Sequence, residues 1–262
     1  MSEKVFKFFP AFLIILISTI AVSALEYYAF RAFSKSLWGE NIFTLGRFFL
    51  ILFILLLTKK ISYRKITFKK NHPLIFFILP FISVGIFFII YYTIHSVELI
   101  RHGYSTFLTL KKVNYISTIV VIPIFEEIIY RGLILTSFLS IYSVNRSILF
   151  SAILFSLLHF ISAFNPYILF STFCGGLLLG WLFTRTNNLL VPIITHICYN
   201  AIVIFYPQIH LSIKSSHVVS VPELIIMFIL GIFLLLISLW MIRKKAGRSL
   251  FKKHLQIESQ SS

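Results

Sequence analysis

The sequence contains no aspartate; its eight acidic residues are all glutamates, at positions 3, 26, 40, 98, 126, 127, 223 and 258. Charge of either sign is scarce. Only 12% of the 262 residues are charged, against roughly 25% in an ordinary soluble domain. With 58% hydrophobic residues, there are too few polar groups to coat a globule of this size. That excludes a soluble globular class and leaves an all-α, polytopic transmembrane helical bundle. There are two cysteines, Cys174 and Cys198, both in apolar segments and without CxxC spacing. A disulfide framework is thereby excluded, and both thiols are read as small core hydrophobes with no catalytic role. No internal repeat is present, and low complexity is confined to the polar tail Glu258 to Ser262, which is expected to be disordered.

What is abundant is apolar sequence, and the charge that remains is mostly positive. Eight apolar runs are long enough to span a bilayer, which takes about 17 to 25 residues. They are about Phe8 to Phe30, Asn41 to Thr58, Pro73 to Tyr92, Val113 to Phe138, Ser147 to Phe164, Pro166 to Thr184, Leu189 to Tyr206 and Pro222 to Ile242. The net charge of +16 does not point to nucleic acid, because the basic residues sit in blocks between these runs. Six lie in Lys59 to Lys70 and six more in Arg243 to Lys253. With eight spans and both termini cytoplasmic, the two blocks fall on the same, inner face, as the positive-inside rule requires. The first run follows Lys4 and Lys7 and resembles a signal peptide, but it continues through Tyr27, Tyr28 and Phe30 as an uncleaved anchor would. The chain is therefore divided into motif-free N-terminal helices (1–112), a core (113–206), and a last span with a basic cytoplasmic tail (207–262).

Polar residues inside the runs carry the functional signal. Val121 to Gly132 reads V-I-P-I-F-E-E-I-I-Y-R-G, and each charge at a bilayer centre costs about 2.5 to 3.5 kcal/mol or more. Glu127 and Arg131 are four apart on a helix and can pair. Glu126 lies about 100° further round and needs a partner on another helix or a chemical role. Pro123, three residues before Glu126, is expected to kink or open the helix at the depth of the glutamates. Phe155 and His159 share a face of the fifth run, and His196 and Asn200 share a face of the seventh. One polar cavity between the three helices is the economical arrangement. A carboxylate, two imidazoles and an amide make a hydrolytic set: a general base, a proton carrier near neutral pH and donors for an oxyanion. Gly175, Gly176 and Gly180 are read as close helix packing. Glu223 suits a helix N-terminus. Glu26 and Arg47 would pair across spans or line a substrate route, and His95, His102, His210 and His217 are placed on outer loops.

The order E-E-x-x-x-R, F-x-x-x-H, H-x-x-x-N, each motif in its own span, resembles the CAAX protease and bacteriocin-processing (Abi) family. That family includes the type II endopeptidase that trims prenylated CAAX proteins. The resemblance covers about Val113 to Tyr206 and includes the run F-C-G-G-L-L-L-G-W-L-F-T-R-T-N-N-L-L-V-P-I-I-T-H. It implies an intramembrane peptidase in which Glu126 activates water and His159 orients it or shuttles its proton. His196 and Asn200 would form the oxyanion hole, Glu127 and Arg131 would support the site, and Phe155 would pack beside it. It further implies a multi-pass protein of a bacterial cell membrane, acting on a peptide or membrane-protein substrate in bacteriocin processing, peptide maturation or self-immunity. The family is often labelled metalloprotease, and Glu126, His159 and His196 are a zinc set in type and number. The H-E-x-x-H spacing is missing and Asn200 is a poor zinc ligand, so metal-independent chemistry is the expectation. Two rival classes remain: a non-catalytic membrane immunity or regulatory scaffold, and a proton-relay transporter. The missing repeats argue against the transporter.

Overall fold

The computed structural model describes residues 73–102, 115–163, 166–214 and 220–258. The first two apolar runs, Glu26, Arg47, Lys59 to Lys70, His217 and the last four residues lie outside the described residues. Among the described residues all regular structure is helical and no strand occurs. The helices are α1 (Pro73–His102), the composite run α2 (117–139), α3 (Val144–Ala163), α4 (Pro166–Thr186), α5 (Leu190–Lys214) and α6 (Val221–Glu258). Three of them are long and apolar enough to cross a bilayer, through Ile75–Val97, Pro166–Thr186 and Val221–Lys244. Shorter apolar stretches occupy Val144–Leu157 and Leu190–Tyr206. This is a helical membrane protein.

The chain clusters into two compact units. Lys112–Thr184 belongs to the first, with α2, α3 and nearly all of α4. Its central feature follows from Pro123, which has no N–H to donate and whose ring clashes with the carbonyl four residues back. α2 relaxes that conflict by widening. Ser117–Val121 is π-helical, with the Ile122 N–H bonded to the Ser117 carbonyl. A six-residue α-helical insert, Ile122–Glu127, carries both glutamates. A second π-helical stretch, Ile128–Leu135, follows. The helix thus opens on both sides of the glutamates instead of bending once at the proline. Such π segments are rare and concentrate at functional sites.

α4 packs on α3 through small residues. A Cβ on Gly176 would stand 3.0 Å from Ala152, and one on Gly180 would stand 3.1 Å from the Ile148 side chain. Gly175 does not share this role, since a Cβ there meets nothing within 4 Å. It lies one residue round the helix from the packed face.

The second unit comprises α1, α5 and α6. α1 and α6 cross at Gly85 and Gly231, where an added Cβ on either would lie 2.8–2.9 Å from the other's carbonyl oxygen. Backbone atoms cannot give way as a flexible side chain would. Gly231→Ala is therefore expected to cost about 1–3 kcal/mol through overpacking, while Gly175→Ala is expected to be neutral or slightly stabilising by helix propensity. Thermal unfolding of the two variants in the same detergent checks the contrast. The link into α5 turns at Asn187, whose φ of 48° is left-handed, a conformation asparagine tolerates better than most residues. The Asn188 side-chain oxygen then accepts the Leu190 N–H at 3.0 Å and caps α5.

The third and seventh runs extend further than their apolar stretches. Helix continues to His102 in α1 and to Lys214 in α5, and α6 continues through the basic stretch to Glu258. His95 and His210 are therefore helical and not on loops, and His102 ends α1. His95 is buried and packs against Tyr91 with ring centroids 4.0 Å apart and planes tilted by 47°. Backbone hydrogen bonding continues past the last strongly apolar residue, so hydropathy underestimates helix length.

Candidate active site

Two adjacent glutamates on α2 have opposite environments. Glu127 is fully buried, and its Oε1 accepts a hydrogen bond of 2.8 Å from Arg131 Nη1 one turn later. Arg131 is itself fully buried. Its Nη2 donates to the Gly176 carbonyl on α4 at 3.3 Å, and its guanidinium lies 4.8 Å from the Phe155 ring centroid on α3. One ion pair thus joins the three described helices of this unit. The missing Cβ at Gly176 lets α4 lie close against Ala152 of α3.

Glu126 retains 22% exposure, and its Oε1 lies 3.3 Å from Nε2 of His159, which is 29% exposed. The other imidazole nitrogen, Nδ1, is 2.8 Å from the Phe155 carbonyl. A carbonyl only accepts, so Nδ1 carries a proton and donates it. Nε2 then faces a carboxylate oxygen, and that contact is a hydrogen bond only if one proton lies between them. The pair is built to hold one movable proton and is open to its surroundings.

α3 presents Ser151, Phe155 and His159 on one face at intervals of four residues, and each touches α2. Ser151 Oγ donates to the Tyr130 carbonyl at 3.2 Å. The Phe155 ring meets Tyr130 edge-on with centroids 4.8 Å apart and lies beneath Arg131. His159 reaches Glu126. The Ser151 bond satisfies a carbonyl within the π-helical stretch, where regular pairing is disturbed. Sequence reasoning named Phe155 and His159 but missed Ser151 and Tyr130. The S-x-x-x-F-x-x-x-H spacing was the available signal for Ser151.

His196 and Asn200 lie on α5 in the second unit, His196 buried and Asn200 half-buried. Immediately before His196, the Thr195 carbonyl accepts a hydrogen bond of 2.8 Å from Ser83 Oγ on α1. In the first unit Glu126 and His159 are two groups of metal-ligand type, one fewer than the three protein ligands of a catalytic zinc site. Glu127 is committed to Arg131. Among the described residues no group of three or more His, Cys, Asp or Glu is placed to hold a metal ion. Among the described residues of this unit, Glu126 and His159 by themselves do not complete a catalytic zinc site.

No curated protein and no solved structure matches the chain. A protein-family model does: residues 108–202 match the family described as type II CAAX prenyl endopeptidase Rce1-like, a family of proteases. Glu126, Glu127, Arg131, Phe155, His159, His196 and Asn200 all fall inside that segment. Residues 108–202 are thus similar to the type II CAAX prenyl endopeptidase Rce1-like family, the resemblance that the order of the three motifs implied.

Proposed function

We propose that the protein is an intramembrane endopeptidase that hydrolyses a peptide bond of a membrane-associated or small peptide substrate with water activated by Glu126. The observation that carries this reading is the unequal fate of the two glutamates. Glu127 is buried and paired with Arg131, whereas Glu126 is partly exposed with His159 Nε2 3.3 Å away, a contact that one proton between the two groups makes a hydrogen bond.

With that proton on His159, Glu126 is a carboxylate and takes a proton from water as the water oxygen attacks the scissile carbonyl carbon. The carbonyl oxygen becomes an oxyanion, to which His196 and Asn200 donate hydrogen bonds. Collapse of the tetrahedral intermediate breaks the C–N bond. The proton taken from water passes to the leaving amine, directly from Glu126 or through His159. No metal ion enters these steps. In the alternative, Glu126, His159 and His196 would hold a zinc ion that polarises the carbonyl or the water.

The reading includes eight spans with both termini cytoplasmic, a catalytic core over 113–206, and residence in a bacterial cell membrane with a role in bacteriocin processing, peptide maturation or self-immunity. The family description makes a prenylated peptide ending in a C-a-a-X sequence the first probe. Purified protein in liposomes is incubated with that peptide and with its unprenylated counterpart, and the products are identified by mass spectrometry. Cleavage of either peptide is expected, unchanged by a strong chelator. Cleavage that the chelator abolishes and zinc restores would replace the metal-free mechanism with the zinc alternative.

A further inference from the structure

α1 carries no recognised motif and lies outside the segment that matches the family. It nevertheless presents Ser83, Phe87, Tyr91 and His95 at intervals of four residues, a stripe along one helix face. The stripe meets α5. Ser83 Oγ lies 2.8 Å from the Thr195 carbonyl and 3.1 Å from the Leu79 carbonyl of its own helix. A hydroxyl has one proton to donate, and the cross-helix bond is the shorter. Further along, Phe87 meets Tyr199 and Tyr206 edge-on at 6.4 and 5.2 Å, and Tyr91 meets Tyr206 at 5.6 Å. Ser83 is fully buried and Thr195 nearly so.

The face of α5 that rests on α1 therefore contains Thr195, Tyr199 and Tyr206. His196 and Asn200 each follow a member of that face by one residue, which places them about 100° round the helix axis. Rotation of α5 about its axis sets the direction of both side chains, and the contacts with α1 resist that rotation, together with the Tyr206 contact to Met227 of α6. Ring contacts tolerate sliding, whereas a hydrogen bond is directional and weakens steeply when misaligned. We propose that Ser83 is a positioning residue that fixes, through the Thr195 carbonyl, the direction in which α5 presents His196 and Asn200.

This rests on the peptidase reading, under which those two residues bind the oxyanion, and the test separates the two. Ser83→Ala is expected to lower kcat for the C-a-a-X probe by about tenfold, less than the roughly hundredfold cost of a full 1 Å misplacement, with KM unchanged. In a His196→Ala background the same substitution is expected to cost little more, because its effect passes through His196. Independently of activity, Cys198 sits on α5 between the pair. In a Cys174→Ser background its rate of labelling by a small maleimide reports helix rotation, and Ser83→Ala is expected to change it several-fold. Ser83→Thr keeps the hydroxyl and is expected to retain wild-type values in every assay. Equal losses in the Ala and Thr variants, an unchanged Cys198 rate in Ser83→Ala, or full additivity with His196→Ala overturns the proposal. If the wild type cleaves nothing, the peptidase reading falls, and the labelling rates alone decide the role of Ser83.

Discussion

Glu126→Gln is expected to lower the rate of peptide cleavage by about 10³-fold, within the range that general-base catalysis supplies, and to leave the fold intact. The amide is nearly isosteric with the carboxylate and can keep a hydrogen bond to His159 Nε2, 3.3 Å away, so little packing is disturbed. What it loses is the ability to accept a proton from water. Partial exposure of the carboxylate makes the substitution mild for stability. The same change at Glu127 differs in kind, since it would remove the negative partner of a buried arginine. Turnover measured under single-turnover conditions, with thermal unfolding as the control, separates the two positions. Activity in Glu126→Gln within tenfold of wild type, at unchanged stability, would remove Glu126 from the chemistry.

The second large effect concerns stability. Arg131→Met leaves the Glu127 carboxylate buried and unneutralised, and breaking a buried pair in this way costs about 3–5 kcal/mol. The loss is distributed over three helices, because Arg131 also donates to the Gly176 carbonyl and lies over Phe155. Replacing both partners, as Glu127→Gln with Arg131→Met, removes the stranded charge and is expected to recover most of the loss. Unfolding of wild type, single variant and double variant in one detergent forms the cycle. A single variant as stable as the double would mean that the pair does not hold α2 against α3 and α4. Activity is expected to fall in the single variant as well, because Phe155 both supports Arg131 and provides the carbonyl that orients His159.

Much of this was legible in the sequence because a membrane makes polar residues conspicuous. Charged side chains in an apolar run have few ways to be accommodated, and the four-residue spacing of Glu127 and Arg131 named their pairing directly. The effect of Pro123 followed equally from its missing N–H. Its form did not, since whether a helix kinks or widens into π-turns depends on which neighbours satisfy the displaced carbonyls. Ser151, which takes the Tyr130 carbonyl, looked like any other small polar residue. The same holds for Ser83, whose partner is 112 residues away. Gly176 and Gly180 share a small-xxx-small face with Gly175 beside it, yet all three were read as packing; Gly175 meets nothing within 4 Å, because one residue of rotation separates a packed face from an open one. Helix ends were misjudged wherever polar residues continued the backbone pairing, which is why His95 emerged inside α1 and against the Tyr91 ring.

The most direct test of a Glu126-activated peptidase joins chemistry to biology in one experiment. Wild type and Glu126→Gln are expressed at equal levels in a deletion strain and, in parallel, purified into liposomes with a peptide whose maturation that strain has lost. The expected result is cleavage and rescue by wild type and neither by Glu126→Gln. Rescue by Glu126→Gln, with the peptide left intact by every purified sample, would contradict the peptidase reading and establish a membrane scaffold in its place.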